Sequence, residues 1–367
     1  MNPECPEMQI YSWENAAAFT LLIIPLAIFG EVVYRRLRRL PAALQPDALP
    51  ALSIIVPARN EAANLTNLLP TLTALAYNGP CEVIVVDDNS TDSTAEVAAS
   101  CGARVIRLHT LPEGWRGKPY ACHCGALEAG GEWFLFVDAD TLHAPDGPAR
   151  AVQLALAEDW GGLSLLPPGR YFGYADRLGL TAAFAGLFAM GAPTAGMLNG
   201  QFILLRRDVY EHSGGFAAVR KEALEDVALG RRLAAQGYDV PMVRGDGAMQ
   251  VGMYADVRQM WHGLTRLGQG ALRWWGLRAL LTAAFVTALV SPLIALSGSV
   301  LGFLPWAWPA GAWAVAALCM VPWARRAGHV TDAIFSPLGG LMILSASLWG
   351  LISRVLGIGI QWKGRRV

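Results

Sequence analysis

The sequence predicts an α/β domain with a mainly parallel sheet, joined to transmembrane α-helices. Between residues 50 and 250, short apolar runs alternate with helical patterns, which is typical of βαβ units. Residues 15–34 and most of 279–355 are nearly free of charge, in a chain whose residues are 54% hydrophobic. Polar clusters follow several of the apolar runs directly, where α/β sheets place their ligands.

The charge balance argues against a nucleic-acid partner. The chain has 29 basic and 29 acidic residues, so its formal net charge is zero and it offers no broad basic field. The six cysteines are scattered, and Cys122-His123-Cys124 is their only cluster. Two cysteines at this spacing without a second pair make a poor zinc site, so we expect reduced thiols in a cytoplasm-facing domain.

The apolar and helical patterns of the soluble region give seven elements before residue 140. The predicted strands are 52–56, 82–86, 104–108 and 133–137, and the predicted helices are 61–75, 90–100 and 119–129.

The N-terminal region predicts one membrane span with its basic end in the cytoplasm. Residues 15–34 are about long enough to cross a bilayer, and Arg35-Arg36-Leu37-Arg38-Arg39 follows at once. The residues before the span are acidic, at Glu4, Glu7 and Glu14. By the positive-inside rule, the domain after residue 35 faces the cytoplasm from the inner membrane.

The C-terminal third predicts further membrane segments. Residues 256–278 mix Arg with Trp, Leu and Met, which suits a helix in the membrane interface. Apolar spans follow near 279–302, 304–323 and 333–353. A full last crossing would put Lys363 outside, against the positive-inside rule, so two or three spans remain open.

These patterns divide the chain into four regions and leave its oligomeric state open. Residues 180–198 are apolar but interrupted by Gly, Pro and Thr, and predict a groove or membrane-dipping segment. The predicted regions are an N-terminal span with its flank (1–40), a catalytic domain (41–255), an interfacial helix (256–278) and the C-terminal spans (279–367).

Asp138 and Asp140 are the most informative pair of residues. They follow the apolar run 133–137, and alternate residues of an extended strand point to the same side. Two close carboxylates repel unless a cation lies between them. Oxygen ligands suit Mg²⁺ or Mn²⁺, which also binds substrate phosphates.

Other polar residues gather at predicted strand ends. The run 57–61 follows the first strand, and Asp87-Asp88 follows the second and is suited to a nucleotide's base or ribose. We interpret Asn89, Ser90 and Asp92 as helix-capping residues. Lys118, in a glycine-punctuated basic loop, either meets a nucleotide or is a plain exposed lysine.

Two later clusters complete the candidate site. Asn199-Gly200-Gln201 is a polar turn leading into a strand, and Gly214-Gly215 in a second turn would let a backbone approach a substrate closely. Glu225-Asp226 opens a helix, where acids are ordinary dipole partners. Beside a metal site, one of them would instead accept a proton from an attacking hydroxyl.

These clusters, in this order, resemble the family 2 glycosyltransferases. The matching runs are Ile55–Glu61, Val85–Asp92, Gly117-Lys118, Val137–Thr141, Asn199–Gln201 with Gly214–Phe216, and Glu225-Asp226. The resemblance covers about residues 50–250 and implies the GT-A fold, a Rossmann-like α/β domain. It also implies a nucleotide-sugar donor, usually a UDP-sugar, and inversion at the anomeric carbon.

The resemblance also implies roles for individual residues. Asp226 would be the general base, with Glu225 beside it, and Asp138 and Asp140 would serve the metal and the diphosphate. Glu61 and Asp88 would hold the nucleoside. The full predicted donor-binding set is Pro57, Arg59, Glu61, Asp87, Asp88, Lys118, Asp138 and Gly200.

The acceptor implied by the resemblance is a membrane lipid. Processive members carry Gln-x-x-Arg-Trp before their membrane helices, and Gln259-Met260-Trp261-His262 does not match it, so a polymerase is disfavoured. The loop Gly114–Cys122 is similar to that of carotenoid glycosyltransferases, and the layout is similar to carotenoid- and hopanoid-type enzymes. The alternatives are transfer to polyprenyl phosphate and, more remotely, a non-catalytic sensor or transporter.

Overall fold

The computed structural model describes residues 18, 20–42, 48–169, 171, 173–193, 196–222, 224–254, 256–356, 361–362 and 365–366, with backbone alone for 267–275 and after 356. The predicted acidic flank at Glu4, Glu7 and Glu14 and the basic Lys363 lie outside these residues. The chain forms two compact units. An α/β unit contains residues 37–170 and 193–253, and a helical unit contains 1–36, 171–192 and 254–367.

The α/β unit is built on one seven-stranded sheet in the order β3-β2-β1-β4-β7-β6-β8. Its strands are β1 (Leu52–Ala58), β2 (Cys81–Asp88), β3 (Arg104–Leu108), β4 (Trp133–Val137), β6 (Gly162–Leu166), β7 (Phe202–Arg206) and β8 (Met242–Arg244). β7 runs antiparallel to both neighbours, β4 and β6, and the other pairs are parallel. The predicted mainly parallel α/β sheet is therefore confirmed, with β3 and β4 at the predicted bounds. A small antiparallel ladder joins β5 (Thr141–His143) to β9 (Met249–Val251).

Helices cover both faces of the sheet, which explains why its central strands are mostly apolar. They are α2 (Ala62–Thr73), α3 (Thr94–Ser100), α4 (Gly117–Glu128), α5 (Gly147–Ala157), α7 (Arg207–His212), α8 (Gly215–Ala218) and α9 (Glu225–Ala235). Along β1, Ile54 and Val56 pack in the core under α2 and α5, whereas Ile55 packs in the core under α4 and α9. Side chains of one strand thus alternate between two cores.

The helical unit contains the apolar segments. Its helices are α1 (Ile23–Arg36), α6 (Tyr174–Ala189), α10 (Val257–Trp275), α11 (Ala279–Val300), α12 (Ala307–Arg326) and α13 (Ser336–Val355). Among the described residues, three helical segments are long and apolar enough to cross a membrane, and they are Gly276–Val300, Ala307–Arg326 and Val330–Val355. These match the three predicted C-terminal apolar spans. Two short strands, β10 (Gln361–Trp362) and β11 (Arg365–Arg366), pair in antiparallel orientation.

The predicted catalytic domain over 41–255 is interrupted in the structure. Residues 171–192 belong to the helical unit, where α6 packs closely against other helices. A β-carbon on Gly30 of α1 would lie 3.1 Å from the Ala189 nitrogen, and one on Gly339 of α13 would lie 2.5 Å from the Leu178 carbonyl. Such close approach needs small residues. With 16 residues, α6 is shorter than a full span, and it shares residues 180–189 with the apolar segment 180–198.

Candidate active site

The predicted site residues meet at one edge of the sheet because of the strand register. Val137, the last residue of β4, pairs with Phe202, the first of the antiparallel β7. Residues just after β4 therefore lie beside residues just before β7. A recess forms there, and its lining is Pro57, Lys118, Cys122, Phe136, Val137, Asp138, Gly200, Ile203, Phe216, Glu225 and Asp226.

Lys118 is the electrostatic centre of this recess. Its Nζ lies 2.7 Å from Asp138 Oδ1 and 3.2 Å from Glu225 Oε1, and its side chain is one-third exposed. Burial lowers the pKa of the Lys118 ammonium, whereas the negative charges of Asp138, Glu225 and Asp226 raise it. The carboxylates have the larger effect and hold the Lys118 pKa well above its usual value. Lys118 is thus a charged residue engaged by carboxylates, and the plain exposed lysine is not what the structure shows.

Asp226 lies at the start of α9 with both carboxylate oxygens fixed. Oδ2 accepts a hydrogen bond from the Gly200 N–H at 2.9 Å, and Oδ1 accepts one from the Val227 N–H at 2.8 Å. Burial and the neighbouring Glu225 raise the Asp226 pKa to about 6, although Lys118 and the two N–H donors act in the opposite direction. A carboxyl with this pKa is suited to accept a proton near neutral pH.

Glycine at position 200 is what allows this approach. A β-carbon there would lie 3.0 Å from Asp226 Oδ2 and 3.0 Å from Lys118 Nζ. These contacts are tighter than ordinary van der Waals distances, so a side chain would push the two groups apart. The need for glycine at position 200 thus comes from Asp226 and Lys118, and its role in donor binding stays a prediction.

The strand geometry assumed for the two aspartates ends before them. β4 stops at Val137, and residues 138–140 form a turn in which the Thr141 N–H and hydroxyl donate to the Asp138 carbonyl, at 3.3 and 2.7 Å. The Asp140 carbonyl accepts from the Gly252 N–H at 2.9 Å. Simple alternation along a strand thus does not position these carboxylates, because a hydrogen-bonded turn does.

A buried histidine supports this turn. The Thr141 hydroxyl lies 3.0 Å from His143 Nε2 and already gives its proton to the Asp138 carbonyl. Nε2 must therefore carry the histidine proton. Burial lowers the His143 pKa to about 4, so the ring is neutral, and among the described residues Nδ1 has no hydrogen-bond partner.

The donor set at the turn fits a hard divalent cation. Asp138 and Asp140 offer carboxylate oxygens and are both partly exposed. Within the described residues, no group of three or more His, Cys, Asp or Glu side chains is placed to hold a metal by itself. Mg²⁺ commonly binds through one or two carboxylates together with substrate phosphates. The residues present therefore fit a cation that is shared with a phosphorylated ligand.

The loops after β1 and β2 are joined into one platform. The Asn60 N–H donates to Ser90 Oγ at 2.9 Å, and Asn60 Oδ1 accepts from the Thr91 N–H at 2.8 Å. Asn60 and Asn89 both have φ of 53°, in the left-handed region that Asn tolerates better than most residues. The crossed bonds fix the two loops at the edge where a nucleoside is expected.

The predicted nucleoside residues lie on this platform. The Arg59 guanidinium donates to the Asp88 carbonyl at 3.0 Å and lies 3.7 Å from its carboxylate. Asp87 Oδ1 accepts from the Ser90 N–H at 3.0 Å, and Glu61 Oε2 accepts from Asn64 at 2.6 Å. Glu61, Asp87 and Asp88 are almost completely buried, so their carboxylates are held by the fold before any ligand arrives.

The capping interpretation fits Asp92 but not its two neighbours. Asp92 accepts hydrogen bonds from the N–H groups of Thr94 and Ala62, the first residues of α3 and α2. Ser90 instead bonds Asn60, and Asn89 provides the left-handed turn. The sequence did not show that one carboxylate serves two helices.

Sequence reasoning missed the apolar wall and the support of the site. Phe136, Ile203 and Phe216 line the recess. In the sequence they are apolar residues next to the motifs, and nothing there distinguishes them from ordinary core residues. His143 gave no signal except its place three residues after Asp140. In the glycine turn, a β-carbon on Gly215 would lie 2.4 Å from the Tyr210 ring, so this glycine allows close packing against Tyr210. The close approach of this turn to a substrate stays a prediction.

Part of the chain is similar to known proteins. Residues 53–228 match the family model described as Glycosyl transferase family 2. A 4,4'-diaponeurosporenoate glycosyltransferase of Staphylococcus aureus strain USA300 is 29% identical over 248 residues. That alignment covers 65% of this chain and 65% of the relative, so this chain spans slightly less than two thirds of the relative's length.

A solved structure shares the fold over most of the chain. It is a mannosyltransferase from Pyrobaculum calidifontis in complex with GDP-Man and Mn²⁺. The match has a TM-score of 0.60 at 19% identity and covers 91% of this chain and 98% of that one. At this identity the likeness shows the fold alone, and it confirms the predicted GT-A architecture.

Proposed function

Because residues 53–228 match the model of the family 2 glycosyltransferases, we propose that this protein is a glycosyltransferase that moves a sugar, with inversion, from a nucleotide-sugar to a membrane lipid. The donor is a UDP-sugar and transfer is non-processive. The observation that carries the proposal is Asp226, a half-buried carboxyl with a raised pKa in one recess with the Lys118–Asp138 ion pair.

The proposed reaction is a single displacement. The acceptor oxygen forms a bond to the anomeric carbon while the bond from that carbon to the nucleoside diphosphate breaks. When the acceptor is a hydroxyl, its proton passes to Asp226, and the Gly200 and Val227 N–H groups keep that carboxylate oriented. The donor leaves as nucleoside diphosphate, whose negative charge Lys118 helps to balance.

Asp138 and Asp140 would hold Mg²⁺ or Mn²⁺ together with the diphosphate. When bound, the cation neutralises negative charge on the leaving group. The Thr141–His143 support keeps the turn that carries both aspartates in place. Pro57, Arg59, Glu61, Asp87 and Asp88 form the nucleoside side of the proposed donor site.

The proposed acceptor is a lipid hydroxyl or carboxyl of carotenoid, terpenoid or glycolipid type. The Staphylococcus relative carries a carotenoid acid in its name, and the three candidate spans suit an insoluble acceptor. We place the catalytic unit on the cytoplasmic face of the inner membrane. In support, the basic ends of α1 and α12 meet, because Glu31 accepts from Arg326 at 2.7 Å.

The test is transfer by Asp226→Asn in membranes. With labelled UDP-sugars and extracted lipids, we expect the variant to bind donor normally but lose transfer by about a hundredfold or more. Glu222→Gln, a charge change near α9 outside the recess, is the matched control. Full transfer by Asp226→Asn would overturn the base assignment.

The same assay distinguishes the acceptors. A lipid hydroxyl must lose its proton, so its transfer depends on Asp226. A carboxylate or polyprenyl phosphate acceptor is already ionised at neutral pH and would be affected far less. A product found only with polyprenyl phosphate would replace the proposed acceptor while leaving the glycosyltransferase reaction intact.

A further inference from the structure

A groove in the helical unit lies outside the chemistry proposed for the α/β unit. It runs between α1 and α12 and has a volume of about 560 Å³. Most of its lining is apolar, and Glu31 and Arg35 are the charged members among the described residues. The described lining is Ile24, Ala27, Ile28, Glu31, Val32, Arg35, Val315, Leu318, Cys319 and Pro322.

Glu31 and Arg35 of the lining, together with Arg326 beside it, carry one net positive charge. Glu31 Oε1 accepts hydrogen bonds from Arg35 Nε at 2.5 Å and from Arg326 Nη2 at 2.7 Å. Two guanidinium groups thus converge on one carboxylate. The Arg35 side chain is 73% exposed, so its charge faces outward from the groove.

Arg326 is held rigidly beside this charged part. Its guanidinium carbon lies 4.0 Å from the centre of the Tyr34 ring and 4.8 Å from that of Trp323. Cation–π contacts of this kind restrain a guanidinium without cancelling its charge. The arrangement is therefore prepared before any ligand binds.

We propose that this groove, lined by residues of α1 and α12, binds one anionic phospholipid. The apolar wall takes an acyl chain, and the arginines at the basic helix ends take the phosphate of the headgroup. Basic pockets between transmembrane helices on the cytoplasmic side bind anionic headgroups in this way. Charge complementarity separates this ligand from zwitterionic lipids, which would fill the apolar part equally well.

Native mass spectrometry of the full-length, detergent-solubilised protein tests the proposal. Phosphatidylglycerol and phosphatidylcholine with identical chains are titrated separately. We expect phosphatidylglycerol to bind more tightly, and Arg35→Gln to weaken it about fivefold, the effect of one arginine near an anionic headgroup. Arg36→Gln removes a charge from the same helix end but does not line the groove, so it should change little.

Two further variants test the apolar part. Leu318→Trp fills the groove wall and should reduce binding of phosphatidylglycerol. Leu301→Trp places the same side chain at an exposed position outside the lining and should not. The alkylation rate of Cys319, which lines the groove, is an independent measure of lipid binding. Phosphatidylglycerol should slow this alkylation more in the wild-type protein than in Arg35→Gln.

Three results would overturn the proposal. One is equal binding of the two lipids, and another is equal weakening by Arg35→Gln and Arg36→Gln. The third is displacement of phosphatidylglycerol by inorganic phosphate at matched concentration, which would show a site for the free anion. Circular dichroism checks that Arg35→Gln folds, which we expect because an exposed i,i+4 ion pair contributes little stability.

Discussion

At the scale of single residues, the site is a balance of charges around Lys118. The ammonium contacts Asp138 and Glu225, while Asp226 keeps a raised pKa because burial and Glu225 outweigh Lys118. Removing one member of such a set changes the proton affinity of the others. In the proposed reaction the two acids that open α9 therefore have different roles, with Asp226 accepting the proton and Glu225 raising the Asp226 pKa.

The pH dependence of transfer should reveal this division. Transfer to a hydroxyl needs ionised Asp226, so its rate should fall as the pH drops through about 6. Glu225→Gln removes a negative neighbour that raises the Asp226 pKa, so the fall should move to lower pH. The measurement is kcat/KM against pH, and an unmoved profile in Glu225→Gln would contradict this electrostatic role.

The Thr141–His143 pair predicts a specific pattern of rescue. In His143→Gln the side-chain amide can still donate to Thr141 Oγ1, whereas the shorter side chain of His143→Asn cannot reach it. We expect His143→Asn to lower kcat about fivefold to tenfold, which corresponds to roughly 1 kcal/mol of activation free energy. His143→Gln should retain most of the wild-type kcat.

A spectroscopic control separates positioning from general damage. ¹⁵N NMR of labelled wild-type protein should show His143 protonated on Nε2 and unprotonated on Nδ1. An equal loss of kcat in His143→Asn and His143→Gln, or a proton on Nδ1 of His143, would rule out the hydrogen-bond chain from His143 through Thr141 to the Asp138 carbonyl.

At the scale of elements, the register of the sheet explains how distant motifs meet. Because β7 is antiparallel to β4, the turn at Gly200 reaches the turn at Asp138, and Gly200 in turn binds Asp226. The motif order shows which residues take part. It does not show which strand is antiparallel, because an apolar strand reads alike in either direction.

The packing of α9 gives a prediction at this scale. A β-carbon on Gly230 would lie 2.3 Å from the Gly196 carbonyl oxygen and 2.8 Å from Leu198 Cγ. Gly230→Ala should therefore shift α9, displace Asp226 and lower kcat, with a loss of stability of about 1–3 kcal/mol. The readouts are transfer rate and thermal unfolding.

Gly311→Ala in α12 is the matched control, because a β-carbon there meets nothing within 4 Å. If Gly230→Ala left both activity and unfolding unchanged, α9 would not need this close contact to place Asp226.

At the scale of the whole molecule, sequence reasoning found the architecture but not its interruption. The first four strands, the order of motifs and the apolar C-terminal helices were readable, because burial on both faces of a sheet and membrane spans leave strong apolar patterns. Residues 171–192 were read as part of a continuous domain. Their grouping with the helices depends on contacts such as Gly339 with Leu178, which no local pattern reveals.

This division predicts how fragments behave. A fragment of residues 37–253 keeps α6 without its helical neighbours, so its apolar surface should drive aggregation or membrane binding. Replacing 171–192 by a Gly/Ser linker should make that fragment more soluble, as measured by sedimentation after detergent-free lysis. Equal solubility of the two fragments would show that α6 does not depend on the other helices.

The central position of β7 also bears on the order of assembly during synthesis. β7 bonds to β4 on one side and to β6 on the other, yet the chain makes β4, then β6, then α6, and only then β7. Until β7 emerges from the ribosome, the sheet exists as two unconnected parts with open edges. The apolar α6 is already outside the ribosome by then, so delivery to the bilayer can begin before the catalytic sheet closes.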